Sequence, residues 1–202
     1  MSLVKKSIFL ISLTSASFLH AAPADVYVGF GVGQADIDTG VSGLTGTAAL
    51  DEEDTSLKVF VGADIDDNFF VEGHYAELGE ASLSGNNGDR FVYEGTTYQF
   101  TANNVKVTLE GESIGLAVGY KFKMGKDVDA FAKLGMHNWD ATSNVSSSAG
   151  SVSLSDDGTD KFYGFGVNYS ISETMSLRAE YESFEFDNED VNNMSLSLIT
   201  RF

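Results

Sequence analysis

Residues 113–122 read SIGLAVGYKF, and their side chains alternate between two kinds. Large apolar residues stand at every second position, namely Ile114, Leu116, Val118, Tyr120 and Phe122. This period of two predicts a β-strand with one apolar face, because successive side chains of a strand point to opposite sides. The opposite face holds glycine, alanine, serine and lysine, which would make a poor dry core. We therefore predict that the apolar face meets lipid rather than a protein interior.

The same period recurs in segments along the rest of the chain. They are DVYVGFGVGQ (25–34), SLKVFVGAD (56–64), NFFVEGHYAEL (68–78), VDAFAKLGMHN (128–138), KFYGFGVNYSI (161–171), MSLRAEYES (175–183) and NMSLSLITRF (193–202). Short links, DIDD, KMGKD and SISET, alternate with long polar stretches. This pattern predicts an all-β fold, an eight-stranded antiparallel up-and-down transmembrane β-barrel with both ends on the periplasmic side. A soluble β-sandwich or lipocalin-like barrel would need bulky apolar residues on the inward face instead.

The first residues of the chain have a different composition. Lys5 and Lys6 precede an apolar stretch at 7–19, and Ala21 and Ala22 follow it. This order is typical of a secretory signal peptide, and the apolar stretch is shorter than the roughly 20 residues of a membrane-spanning helix. We predict a signal peptide at 1–21, cleavage after Ala21, a barrel domain at 22–202 and export to the outer membrane.

Composition excludes several classes of function. The chain has no cysteine, so disulfides and thiolate metal sites are excluded, and it has 12 basic against 30 acidic residues. A net charge of −18 repels nucleic acid, so no such partner is expected. The glycines at 29, 31 and 33 lack the spacing of a dinucleotide-binding loop. We predict no cofactor and no bound metal.

Several of the segments together resemble the OmpA-like family of small outer-membrane barrels. They are YVGFGVG, FFVEGHYAELG, IGLAVGYKF, YGFGVNYSI, LRAEYESF and the terminal SLSLITRF, and the resemblance covers residues 24–202. The even strand count and the alternation of short and long links favour a monomer, and the lack of a nucleophile motif favours a protein without enzymatic activity. The resemblance implies a Gram-negative source and contact with outer-membrane lipid. It also implies a terminal signal read by the barrel-assembly machinery, comprising Met194, Leu196, Leu198 and Phe202. No peptidoglycan-binding domain is expected, since the chain ends with the barrel segments.

Charged residues on the non-apolar faces point into the predicted barrel. Eight strands leave an interior just wide enough for side chains, and a buried charge must be paired. A turn centred on Asp66 would set Lys58 opposite His74. We predict an ionic network that plugs the interior, with a gate or proton path as the alternative. The predicted network comprises Lys58, Glu72, His74, Lys133, Arg178 and Glu180.

Aromatic residues on the apolar face cluster towards the ends of the predicted strands. Such residues form the girdles that lie at headgroup level in outer-membrane barrels. The predicted short-turn girdle comprises Phe69, Phe122, Tyr169 and Phe202. The predicted long-loop girdle comprises Tyr75, Tyr163 and Tyr181.

The long links carry most of the acidic runs. DEED (51–54), SDDGTD (155–160) and DNED (187–190) are predicted to lie in outer loops as solvated, mutually repulsive tips. None of them has the ligand spacing of a calcium loop. The aromatics of residues 91–100, FVYEGTTYQF, are a candidate contact surface for a partner.

Three functions follow from these patterns. The first is an integral outer-membrane protein with a structural and surface-contact role through acidic outer loops. The second is a narrow channel for small solutes, for which inward glycines would leave room. The third is a lipid-modifying enzyme, for which His137, Asp140 and nearby serines at 143 and 146–148 are the only candidates, without a nucleophile motif.

Overall fold

A computed structural model describes residues 26–187 and 189–202, so the predicted signal peptide and its cleavage site lie outside the described residues. The described chain is built from β-strands. Their bounds are β1 Val26–Ile37, β2 Val41–Thr45, β3 Ala49–Asp51, β4 Glu53–Asp64, β5 Phe69–Gly85, β6 Arg90–Tyr93, β7 Thr96–Gln99, β8 Val105–Lys123, β9 Val128–Ser147, β10 Gly150–Ser170, β11 Met175–Phe186 and β12 Glu189–Arg201.

Eight of these strands close into a ring. The order is β1–β4–β5–β8–β9–β10–β11–β12, every neighbouring pair is antiparallel, and β12 pairs back onto β1. Closure gives each of these eight strands a partner on both sides. The ring therefore has no free edge within the membrane, where lipid could not pair with backbone N–H and C=O groups. The eight-stranded barrel predicted from the alternating segments is confirmed. In the part of the chain that the structure describes, no helix is long and apolar enough to cross a membrane.

The outward face of the ring carries an apolar belt. In β8 it runs from Phe122 to Ile114, and the side chain of Leu116 is 73% exposed. At about 3.3 Å per residue and a tilt of about 40°, this stretch spans about 20 Å along the membrane normal. Polar outward residues end the belt on its upper side, at Gln34, Thr55, Glu77, Glu112, Asn138, Lys161 and Asn192.

Three short turns connect the strands at the lower end of the belt. They follow β4, β8 and β10, and the ends of β1 and β12 lie beside them, where the Phe202 N–H donates to the Val26 carbonyl at 3.0 Å. In the turn after β4, the Asp66 carboxylate accepts the backbone N–H groups of Asn68 and Phe69. These hydrogen bonds lower the pKa of Asp66.

The upper ends of the strands continue well beyond the belt. The prediction that the acidic runs 155–160 and 187–190 lie in loops is wrong, because 155–160 belongs to β10 and 189–190 opens β12. In the remaining acidic run, 51–54, residues 53–54 likewise belong to a strand, β4. Above the membrane both faces of a strand meet water, so both faces carry polar residues. The alternation of apolar and polar residues that indicates a strand is therefore absent there.

A small second sheet stands above the barrel. It joins β2, β6 and β7, and a tight turn at Glu94 and Gly95, both with positive φ, closes its β6–β7 hairpin. Asp89 ties this sheet to the loop after β2, since its carboxylate accepts the Thr47 hydroxyl at 2.6 Å and the Asn86 N–H at 2.9 Å. The hydrogen bond from Thr47 lowers the pKa of Asp89.

Candidate functional site

An ionic network fills the middle of the barrel. The Lys58 Nζ lies 2.6 Å from Glu180 and 2.7 Å from Glu182, and the Lys133 Nζ lies 2.7 Å from Glu72. Arg178 completes it with a hydrogen bond of 2.6 Å to Glu72. Three cations thus balance three carboxylates, which is what a desolvated interior requires.

Lys133 connects the two halves of this network. Besides Glu72, its Nζ lies 2.7 Å from Glu180 Oε1 and 2.9 Å from Glu182 Oε1. Those two oxygens accept no well-aligned hydrogen bond from it, so the contacts are ion pairs only. All of these side chains are almost fully buried, which strengthens the Coulombic attraction between them.

Glu182 is a member of the network that the sequence prediction missed. It has the same parity as Arg178 and Glu180 in β11, and this shared face was the signal that could have found it. The predicted pairing of Lys58 with His74 is wrong: Phe60 pairs with His74, and Lys58 pairs with Ala76. The turn is centred on Asp67 rather than Asp66, and moving a turn centre by one residue moves every cross-strand partner by two.

An aromatic cluster closes the barrel below the ionic network. It comprises Tyr27, Phe60, Phe70, Phe131 and Ile199, all at most 3% exposed. The Arg178 guanidinium lies 4.5 Å from the centroid of the Phe131 ring and 4.8 Å from that of Phe60. The Tyr27 hydroxyl donates to Glu72 at 3.2 Å. Arg178 therefore makes cation–π contacts with aromatic rings as well as ion pairs with carboxylates.

Side chains from neighbouring strands occupy the space beside the inward glycines. A Cβ at Gly29 would collide with the Phe60 ring, and one at Gly119 would collide with the Phe70 ring. A Cβ at Gly164 would come 3.0 Å from Glu182 and 3.1 Å from Lys133. The glycines therefore make room for the filling of the barrel rather than for a water path.

A second aromatic cluster lies above the ionic network. His74 does not take part in the ion pairs of the described residues, contrary to the prediction: its ring packs at 4.7 Å from Phe162, and its Nε2 contacts the Ser113 hydroxyl at 3.0 Å. The same hydroxyl contacts His137 Nδ1 at 2.9 Å. His137 Nε2 in turn donates to the Glu185 carbonyl at 3.0 Å. Both histidines therefore serve a hydrogen-bonded chain packed between aromatic rings.

The residues proposed for lipid chemistry are not assembled into a site. His137 points inward and is 1% exposed, whereas Asp140 lies on the outward face of β9 and is exposed. Ser113, the serine that does contact His137, was not among the candidates. It lies in the same enclosed cluster, away from the lipid-facing surface.

A smaller ionic contact lies at the lower rim. Asp64 Oδ2 is 2.6 Å from the Lys121 Nζ and 2.9 Å from the Arg201 guanidinium. The three residues come from β4, β8 and β12, so this contact joins strands that are distant in the chain. Arg201 also lies over the ring of Tyr27 at 5.1 Å.

The residues predicted as girdles and as the terminal signal lie on the outward face. Phe69, Phe122, Tyr169 and Phe202 are exposed near the short turns, and Phe69 packs edge-on against Tyr120 at 5.0 Å. Tyr75, Tyr163 and Tyr181 lie higher on the belt. Met194, Leu196 and Leu198 project outward from β12 beside β1 and β11. Their roles as girdles and as an assembly signal stay predictions.

The charges of the chain are divided sharply between its two ends. We define the outer part as residues 34–55, 77–112, 138–161 and 183–192, which lie above the apolar belt. It contains 20 Asp and Glu residues, whereas its only Lys and Arg residues are Arg90, Lys106 and Lys161. The ionic network is neutral in sum. Nearly all of the net charge of −18 therefore lies on one side of the membrane.

Three solved outer-membrane barrels illustrate the similarity of fold. Neisserial surface protein A is 14% identical, with a TM-score of 0.55, and the match covers 88% of this chain and 97% of that one. Ail of Yersinia pestis is 15% identical, with a TM-score of 0.53 and coverage of 88% and 99%. OprG of Pseudomonas aeruginosa is 12% identical, with a TM-score of 0.53 and coverage of 89% and 96%. At these identities the likeness shows the fold.

The comparison of sequences gives the family. No curated protein matches this chain. The model of the outer membrane protein beta-barrel domain matches residues 7–202, which is nearly the whole chain. This match confirms two predictions made from the sequence of this protein: its location in the outer membrane and its resemblance to small outer-membrane barrels. The chain belongs to the outer membrane protein beta-barrel domain family.

Proposed function

We propose that this protein is a non-enzymatic, monomeric surface protein of the outer membrane, whose acidic outer part contacts cationic partners. One observation carries the proposal: the outer part contains 20 acidic residues, against the three basic residues Arg90, Lys106 and Lys161. Two of these cations are already paired, Lys106 with Glu80 and Lys161 with Glu185. Such a surface attracts cations and repels anions over about 10 Å at 0.1 M ionic strength.

A relative in fold binds a ligand of the opposite kind. Ail was solved in complex with sucrose octasulfate, a heparin analogue, and sulfate groups are anionic. The field of the outer part described here opposes such a ligand. Shared fold does not carry shared ligands, because binding depends on the residues that the strands display.

Binding of soluble polymers to the refolded protein in lipid nanodiscs tests this proposal. We expect polylysine to bind and heparin not to bind. The affinity for polylysine should fall steeply between about 0.1 and 1 M salt, because the Debye length falls from about 10 to about 3 Å over this range. A matched comparison uses a variant in which eight outer carboxylates are changed to amides, and its affinity for polylysine should fall. Heparin binding at least as tightly as polylysine would overturn the proposal.

The narrow-channel alternative is disfavoured by the filled interior. Its support from sequence was the row of inward glycines, and the rings of Phe60, Phe70 and Phe131 occupy the space that those glycines leave. Recordings in planar bilayers test this directly. We expect no ion-conducting steps, and regular steps that scale with protein concentration would favour the channel instead.

A further inference from the structure

The upper half of β10 is an open sheet edge. Residues 150–169 pair with β9, whereas pairing with β11 begins only at Phe162, opposite Phe184. β11 ends at Phe186, so within the described residues no strand lies beside 150–159 on the side away from β9. In an antiparallel sheet every second residue directs its N–H and C=O to a given side. This edge therefore presents unpaired backbone groups outside the membrane.

The inner face beside that edge carries an apolar row. Leu50, Leu83, Val107, Val145 and Val152 stand directly opposite one another on β3, β5, β8, β9 and β10. The row becomes more exposed towards the open edge, from 8% at Leu83 to 54% at Val152. Leu154, next on the same face of β10, is 64% exposed. Exposed aliphatic residues in water beside a free edge indicate a surface that a partner covers.

Acidic residues flank the apolar end of the row. Asp156 follows Val152 and Leu154 on the inner face of β10, and Asp157 lies on the outer face. Asp157 pairs with Asp140 across the β9–β10 ladder, so a like charge stands directly opposite it. Like charges at such positions destabilise a sheet, and a cation beside them relieves this repulsion.

We propose that this open edge binds an extended cationic segment of a partner protein, which adds a strand to β10 along residues 151–159. The proposal rests on the proposed function and names the partner's chemistry. The added strand places its apolar side chains beside Val152 and Leu154 on the inner face, and its basic side chains beside Asp157 on the outer face. Asp156, beyond Leu154 on the inner face, adds negative charge at the same end of the edge. Backbone hydrogen bonds supply affinity, and the alternation of apolar and basic residues supplies specificity.

A second copy of this chain fits the edge less well. Pairing two β10 edges would bring Asp156 and Asp157 of both copies within one short ladder, with no cation between them. Like charges this close together, with no cation between them, oppose that association. The charge of the edge therefore favours a partner that is basic.

Synthetic peptides test the proposal on the full mature barrel in nanodiscs. The probe is a blocked decapeptide that alternates valine and lysine and carries a fluorophore for anisotropy. One control has the same composition in scrambled order. A second keeps the alternating order but is N-methylated along its backbone, which removes every amide donor. We expect the alternating peptide to bind at least tenfold more tightly than either control.

Variants of the protein locate the binding. The double variant D156N/D157N removes two charges at the edge, and L154S removes an exposed apolar side chain. We expect each to weaken the peptide at least fivefold. The matched control D51N/E94Q removes two outer charges away from the edge and should weaken it less than twofold.

The outcomes separate this inference from the proposed function. If the scrambled or N-methylated peptide binds as tightly as the alternating one, strand addition is overturned, while general attraction of cations still stands. Equal weakening by D156N/D157N and D51N/E94Q overturns the location at β10. If light scattering finds a dimer that L154S dissociates and the peptide does not bind, the edge holds a second copy and the proposal is wrong.

Discussion

Replacing Lys133 by methionine removes the cation that connects the buried ionic network. Its Nζ lies within 2.9 Å of three carboxylates, those of Glu72, Glu180 and Glu182. Methionine has much of the side-chain volume of lysine, so the substitution mainly removes the charge. Lys58 and Arg178 then face three buried carboxylates. We expect the free energy of unfolding to fall by about 3–5 kcal/mol, the cost of leaving a buried charge without its partner.

The same change at Lys161 is the matched control. Its Nζ lies 2.7 Å from Glu185, but the Lys161 side chain is 70% exposed. Water solvates both charges at that position, so the pair contributes at most about 1 kcal/mol. Urea titration of the refolded variants in detergent micelles measures both losses. The fluorescence of Trp139 reports unfolding, since it is the only tryptophan and is buried above the network.

Equal losses for K133M and K161M would refute the reasoning, because the ion-pair distances are alike, whereas Lys133 is buried among three carboxylates and Lys161 is exposed beside one. A third variant sharpens the test. K133M/E182Q also removes a carboxylate that K133M leaves in excess, so it should be more stable than K133M alone. If the second substitution lowers stability further, the network is not held by charge balance.

Three other changes have expected outcomes. G119A should lower the free energy of unfolding by about 1–3 kcal/mol, because its Cβ would collide with the Phe70 ring, whereas G125A, with open space at its Cβ, should be nearly neutral in the same urea titration. Protease added to intact cells should cut near Asp89 faster in a D89N variant, since the tie to Thr47 is weakened; unchanged cutting would contradict this. The pKa of Asp89 is lowered in the folded state, so its hydrogen bond with Thr47 is fully present above the ordinary carboxylate pKa of about 3.9 and is lost as pH falls through the lowered pKa. Cutting of the wild-type protein by an acid-tolerant protease should therefore rise below about pH 4.

The sequence predicted the membrane-spanning part of each strand because lipid imposes a strict rule there. Outward residues must be apolar, so alternation appears in all eight segments and the ring follows from their number and their short links. Register was harder to predict. It depends on which residue centres a turn, and the hydrogen bonds of Asp66 to Asn68 and Phe69 decide that locally. An error of one residue there kept the correct face but gave the wrong cross-strand partner for Lys58.

The membership of the buried network could be predicted in part. Parity alone placed Lys58, Glu72, Lys133, Arg178 and Glu180 inside, and the ion pairs join all five. Parity could not separate His74 from them, because Phe162, which packs against its ring, comes from β10, a strand that is not a neighbour of β5 in the ring. Side chains that cross the barrel meet residues far away in sequence, and such contacts require the closed ring.

The loss of alternation above the belt measures membrane depth rather than strand length. In β9 the outward residues are apolar up to Met136 and polar from Asn138 onward, yet the ladder to β10 continues without interruption to Ser147. The backbone pairs in both regions because its N–H and C=O groups need partners in either surroundings. Only the solvent outside the strand changes, from lipid to water. A polar stretch after an alternating segment therefore marks where a barrel strand leaves the membrane, and the open edge of β10 lies in a region that hydropathy assigns to a loop.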